Sequence, residues 1–126
     1  MGRPAMRIAA TVLDAPDPPE LARFYQQLLG WDVVAEQPTW CKLQPPDGGT
    51  GLSFQWEPNY ARPVWPADPA EQRMMSHLDI AVEDLDTAVR WALDAGATLA
   101  DHQPQAGVRV MLDPVGHPFC LFPGHV

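Results

Sequence analysis

The chain has 126 residues, of which 46% are hydrophobic, and it carries a formal net charge of −8 at pH 7. This charge repels phosphate backbones and no basic cluster offsets it, so we predict that the protein does not bind nucleic acid. No apolar stretch approaches the roughly 20 residues of a membrane span, and the N-terminal segment lacks the apolar region of a secretory signal. We therefore expect a cytoplasmic protein that does not bind membranes.

The first half of the chain begins with a strand-like apolar run at residues 8–13. A helix is predicted after Asp17, because an aspartate N-cap followed by two prolines and Glu20 is a strong helix start. Gly30 stands where a helix of this length would end in a left-handed C-cap. Three further short strands are predicted at residues 31–35, 39–44 and 50–56.

The second half repeats this plan. A strand is predicted at residues 78–82, and the helix that follows begins at Asp84 and ends at Gly96. These two residues lie 67 and 66 positions after their counterparts in the first half. Trp91 lies on this helix and is predicted to be part of the core. Three further strands are predicted at residues 97–100, 108–112 and 117–122, the last two joined by the type I turn Asp113–Gly116.

Each half therefore reads strand–helix–strand–strand–strand, which predicts an α+β fold built from two tandem βαβββ modules. We place module one at residues 6–56 and module two at residues 75–123. Residues 57–74 contain four prolines and are predicted to be a linker with little regular structure. Residues 1–126 together are expected to form a single domain.

The segments "HLDIAVEDLDTAV", "LLGWDVV" and "DPVGHPFCLF" resemble the vicinal oxygen chelate superfamily, and in particular its bacterial glyoxalase-like and bleomycin resistance-like members. The resemblance covers nearly the whole chain. It implies that the two modules form a cupped mixed sheet around a cleft. Because members of this superfamily often dimerise, it also implies a homodimer.

The resemblance further implies where a metal would bind. Metal-using members place a His, Glu or Gln ligand on the first and on the last strand of each module. In this sequence the four positions fall on Ala10, on Ser53 or Phe54 (on Gln55 only if the register slips), on His77 and on Cys120. One imidazole and one thiol are too few for a tight site. We therefore predict no metal cofactor; if a divalent metal does bind, His77 is its ligand.

His77 has three interpretations, which the sequence leaves open. It is a half-buried histidine with a hydrogen-bond partner, a polar anchor or general base for a small molecule, or a metal ligand. Imidazole can transfer protons near neutral pH. Asp79 lies two residues along the same predicted strand, so its side chain points to the same face and can orient the ring.

Aromatic residues on neighbouring strands of module one can supply flat apolar walls for a ligand. The predicted ligand-binding residues are Trp40, Phe54, Trp56, His77, Asp79 and Cys120. The leading hypothesis is a binding protein of the sequestration or resistance type, which holds a small, partly apolar or aromatic molecule. One alternative is an enzyme (a lyase, isomerase or dioxygenase) with His77 as catalytic base or as ligand of an unusual metal site. The other is a structural or partner-binding module with an empty cleft.

Overall fold

The computed structural model describes residues 2–126, which divide into two compact units, one ending at Pro58 and the other beginning at Asn59. Each unit contains a four-stranded mixed sheet and one α-helix. The predicted α+β class and the two βαβββ modules are therefore confirmed. Residues 57–74, which are predicted to be a linker, belong almost entirely to the second unit. Within residues 2–126, no helix combines the length and the hydrophobicity needed to cross a membrane.

In the first module the strand order is β1-β4-β3-β2, with β1 parallel to β4 and the other neighbours antiparallel. The elements are β1 Ala10–Ala15, α1 Pro18–Leu29, β2 Asp32–Gln37, β3 Trp40–Gln44 and β4 Gly51–Trp56. Strand β1 begins two residues later than predicted, because its pairing with β4 starts only at Ala10 and leaves Ile8 exposed.

Helix α1 is bounded by the residues that the sequence indicated. The carboxylate of Asp17 accepts a hydrogen bond from the Glu20 amide at 3.3 Å, and Gly30 ends the helix at a φ of 72°. That left-handed conformation is open to glycine at little cost. The buried face of the helix packs on the sheet, and each large side chain buried there contributes about 1.5–3 kcal/mol. The core of this module is formed by Leu21, Ala22, Phe24, Tyr25, Cys41, Leu43, Leu52 and Phe54.

The second module has the same connectivity, with strand order β5-β8-β7-β6 and β5 parallel to β8. Its elements are β5 Leu78–Val82, α2 Leu85–Ala95, β6 Thr98–Leu99, β7 Arg109–Leu112 and β8 Pro118–Pro123. Because order and direction match strand for strand, the internal duplication inferred from the sequence is present in the fold.

Helix α2 begins with the Asp84 carboxylate, which accepts a hydrogen bond from the Thr87 amide at 3.3 Å, and it ends before Gly96. Its fully buried residue is Ala92. The prediction that Trp91 belongs to the core is wrong, since its side chain is 60% exposed. The indole lies beside the narrow alanine-rich stripe that faces the sheet rather than within it.

A network at the β7–β8 turn fixes where β8 begins. The Gly116 amide donates to the carbonyl of Asp113 at 3.0 Å, as the predicted type I turn requires. The buried Asp113 carboxylate accepts hydrogen bonds from the Val115 and His117 amides at 3.0 and 2.9 Å, and lies 2.7 Å from His117 Nδ1. Tyr60 donates its hydroxyl proton to the Val115 carbonyl, which ties the proline-rich segment to this turn.

Candidate functional site

The polar residues of the second module meet on adjacent parallel strands. Asp79 of β5 is the Cα partner of Cys120 of β8. His77 precedes β5 and lies two residues before Asp79, so its side chain reaches the same face. The His77 Nε2 atom lies 3.1 Å from Asp79 Oδ1. Ligand atoms of the three side chains all lie within 4.8 Å of one another.

Solvent reaches these three residues unequally. The His77 and Asp79 side chains are 29% and 63% exposed, whereas Cys120 is buried. Burial raises the pKa of the Cys120 thiol, and the nearby charge of Asp79 raises it further. The thiol is therefore protonated at neutral pH, which argues against a free nucleophilic cysteine.

These residues open onto a pocket of about 420 Å³. Its polar lining comes from His77, Asp79 and Gln105. The remaining lining is apolar or weakly polar, and consists of Trp65, Pro104, Val108, Val110, Cys120 and Phe122. The volume falls within the range of roughly 300–1,000 Å³ that is typical of small-molecule sites.

Trp65 is one of six pocket residues that were not predicted from the sequence. Its ring centroid lies 5.2 Å from that of His77 and 5.3 Å from that of His102. The indole thus packs against the imidazole of the polar cluster and contributes to the apolar wall. A tryptophan in a proline-rich segment is the available signal, but the sequence predicts only a linker with little regular structure there.

The three aromatic residues predicted as ligand walls in the first module do not form one wall. Trp40 is the Cα partner of Gln55, and directly paired residues point to the same face, so Trp40 faces away from Phe54 and Trp56. Phe54 is fully buried and stacks on Tyr25 of α1, with ring centroids 5.5 Å apart. The prediction of Phe54 as a ligand contact is therefore corrected to a core residue beneath the helix.

Trp40 and Trp56 keep exposed surface, on opposite faces of the first sheet. Neither lines the pocket that contains the His77–Asp79 pair. Their role as ligand contacts stays a prediction.

Strand register is equivalent in the two modules, which relates the metal-ligand positions implied by the resemblance in one module to those in the other. Val12 pairs with Ser53 in the first module as Asp79 pairs with Cys120 in the second, 67 residues later in both strands. The first-module positions are therefore Ala10 and Ser53, rather than Phe54 or Gln55. An alanine offers no ligand atom and a serine hydroxyl is a weak one. Ala10 and Ser53 therefore do not fit the His, Glu or Gln ligands that the resemblance implies.

Comparison with known proteins identifies the family. The model of the glyoxalase-like domain matches residues 10–122. No curated protein matches the sequence. A glyoxalase/bleomycin resistance protein/dioxygenase family enzyme from Burkholderia phytofirmans has a TM-score of 0.68 at 18% identity, covering 92% of this chain and 97% of its own.

Two further solved structures show the same fold. A glyoxalase-related enzyme from Fulvimarina pelagi has a TM-score of 0.69 at 21% identity, covering 95% of this chain and 89% of its own. The trypanothione-dependent glyoxalase I of Leishmania major has a TM-score of 0.65 at 19% identity, covering 94% and 87%. The family match spans nearly the whole chain and agrees with the duplicated topology, so the protein belongs to the glyoxalase-like domain family.

Proposed function

We propose that this glyoxalase-like protein binds a small, partly apolar molecule in the pocket of its second module. The observation that carries the proposal is the pocket itself, a largely apolar recess that contains a histidine–aspartate pair whose Nε2 and Oδ1 atoms lie 3.1 Å apart. Trp65 and Phe122 provide flat surface for the apolar part of the ligand. His77 and Asp79 provide its polar recognition.

The pair also indicates which polar group the ligand carries. Because His77 Nε2 lies 3.1 Å from the Asp79 carboxylate, we infer that a neutral His77 carries its proton on Nε2. Nδ1 then keeps its lone pair and accepts a hydrogen bond from a hydroxyl or amine of the ligand. The nine residues that line the pocket include no lysine or arginine, and Asp79 contributes a negative charge. We therefore infer a neutral or cationic ligand, because an anion would meet repulsion without a compensating charge.

Isothermal titration calorimetry with three aromatic compounds of similar size tests this proposal: a phenol, an arylamine that is protonated at the assay pH, and an aryl carboxylate. All titrations are done in the presence of a chelator. The phenol or the ammonium compound is expected to bind, and the carboxylate to bind more weakly. Failure of all three to bind at millimolar concentration would refute the proposal.

Two variants locate the site. Trp65→Ala removes the aromatic wall and is expected to weaken binding about 10-fold, which corresponds to about 1.4 kcal/mol. Trp91→Ala removes an exposed indole of helix α2 that does not line the pocket, and it serves as the matched control, with unchanged affinity expected. Equal affinity of the Trp65→Ala variant and the wild type would place binding elsewhere.

A second candidate is an enzyme in which His77 acts as general base, and the 3.1 Å contact between His77 and Asp79 favours it. An aspartate in this position orients the imidazole and stabilises its protonated form after proton abstraction. The test is product formation from any compound that binds. His77→Gln should abolish turnover while retaining measurable binding if the histidine is the base, and retained turnover would exclude that role.

A further inference from the structure

We propose that His77, Asp79 and Cys120 form a divalent-metal site that lies within the second module alone and selects zinc or cobalt over magnesium. This inference goes beyond the proposed ligand binding. It uses the same pocket but does not depend on an organic ligand. It also differs from the usual site of the superfamily, two of whose positions are Ala10 and Ser53 in this chain.

The number and type of ligands support the proposal. An imidazole nitrogen, a carboxylate oxygen and a thiol sulfur converge from two adjacent strands, all within 4.8 Å. Three protein ligands with one open position is the usual arrangement of a reactive zinc site. With the thiol proton released to solvent, the carboxylate and the thiolate neutralise the two positive charges of the ion, so the site adds no net charge to a partly apolar pocket.

The spacing is compatible with one ion. Ligands at about 2.0–2.3 Å from a tetrahedral zinc lie roughly 3.3–3.8 Å from one another. His77 Nε2 and Asp79 Oδ1 are already 3.1 Å apart. The contraction that remains is about 1 Å, and rotation of the partly exposed His77 and Asp79 side chains can supply it while the buried Cys120 stays in place.

Ligand chemistry sets the selectivity. Thiolate and imidazole favour zinc, cobalt and similar ions, whereas magnesium prefers oxygen ligands and keeps much of its water. Cys120 is therefore the residue that decides between these ions. The open fourth position would face the pocket, where a hydroxyl or amine of a bound molecule could reach it.

Cobalt spectroscopy tests the proposal without any organic ligand. Chelator-treated protein that carries no histidine tag is titrated with Co²⁺, and the absorbance is followed in the near ultraviolet and visible ranges. A saturable thiolate-to-cobalt charge-transfer band is expected, with zinc displacing the cobalt and magnesium leaving it bound. Absence of this band at about 1 mM Co²⁺ would overturn the proposal, because a site with three protein ligands should be saturated at that cobalt concentration.

Variants assign the ligands. Cys120→Ser and Cys120→Ala should both lose the charge-transfer band while keeping a native circular dichroism spectrum; two substitutions guard against misfolding of either one. Cys41→Ser, which changes the buried thiol of the first module, is the matched control and should keep the band. Loss of the band in the Cys41→Ser variant instead would refute the assignment.

Asp79→Asn and His77→Gln should keep sulfur coordination but weaken cobalt binding at least 10-fold each, because each removes one of three ligands. Unchanged affinity in both would show a lone cysteine binding cobalt adventitiously and would reject the site. Failure of this proposal can be distinguished from failure of the ligand proposal. The calorimetry with aromatic compounds contains chelator and therefore no metal, whereas the cobalt titration contains no aromatic compound.

Discussion

Replacing Asp113 by alanine should destabilise the second module by about 3–4 kcal/mol. The carboxylate accepts two backbone hydrogen bonds, from Val115 and His117, and contacts His117 Nδ1. Hydrogen bonds to a charged group contribute about 1.5–3 kcal/mol each. The summed free energy of these three interactions exceeds the expected loss of stability. Once the carboxylate is gone, however, water can reach the half-buried Val115 and His117 and form hydrogen bonds that replace part of it.

The assay is urea denaturation followed by circular dichroism. Asp113→Asn should cost only about 1 kcal/mol, because its carbonyl oxygen still accepts both amides and His117 can move its ring proton to Nε2. Asp47→Ala is the matched control. Asp47 holds the first-module turn through one exposed bond from the Gly49 amide at 2.8 Å, so its loss should cost less than about 1 kcal/mol. Equal destabilisation by the two alanine variants, or a loss under about 1 kcal/mol for Asp113→Ala, would refute this reasoning.

Three further outcomes are expected. Gly116→Ala should lower stability by about 1–3 kcal/mol in urea denaturation, since φ is 99° and a Cβ atom would lie 2.3 Å from Arg62 Cγ. Phe54→Ala should lose about 3–5 kcal/mol and Trp56→Ala less than about 1 kcal/mol, and similar losses would contradict the assignment of Phe54 to the core. The pKa of the Cys120 thiol is raised in the folded state, so the protonated thiol contributes fully to the stability of the fold below the ordinary thiol pKa near 9.0. That stability is lost as the pH rises from 9.0 toward the folded-state pKa. In urea denaturation, the Cys120→Ala variant should therefore lose less stability above pH 9.0 than the wild type does.

The helices and turns could be predicted from the sequence because their signals are local. The caps at Asp17 and Asp84 act on amides three residues away. The Asp113–Gly116 turn is likewise specified within four residues. Strand ends were predicted less accurately, because pairing with a distant strand sets them: β1 starts opposite Gly51 of β4 rather than at its first apolar residue.

The pocket could be predicted only in part. His77 directly precedes β5 and Asp79 is the second residue of that strand, so their proximity followed from the two-residue alternation. Trp65 reaches this pair from a segment with little regular structure, and its neighbour His102 lies 37 residues away in sequence, so no local pattern marks it. Phe54 is predicted as a ligand contact but lies in the core beneath α1. Strand alternation gives the two faces of a sheet without showing which of them the helix covers.

The two modules share a topology but differ in what their equivalent positions can do. Val12 and Ser53 occupy in the first sheet the places that Asp79 and Cys120 occupy in the second. Val12 has no polar side-chain atom, and Ser53 offers only a buried hydroxyl. Asp79 instead carries a carboxylate that is largely exposed and lies 3.1 Å from His77. Polar recognition is thus physically favoured in the second module, and variants that change ligand or metal specificity should fall on its pocket rather than on the equivalent face of the first.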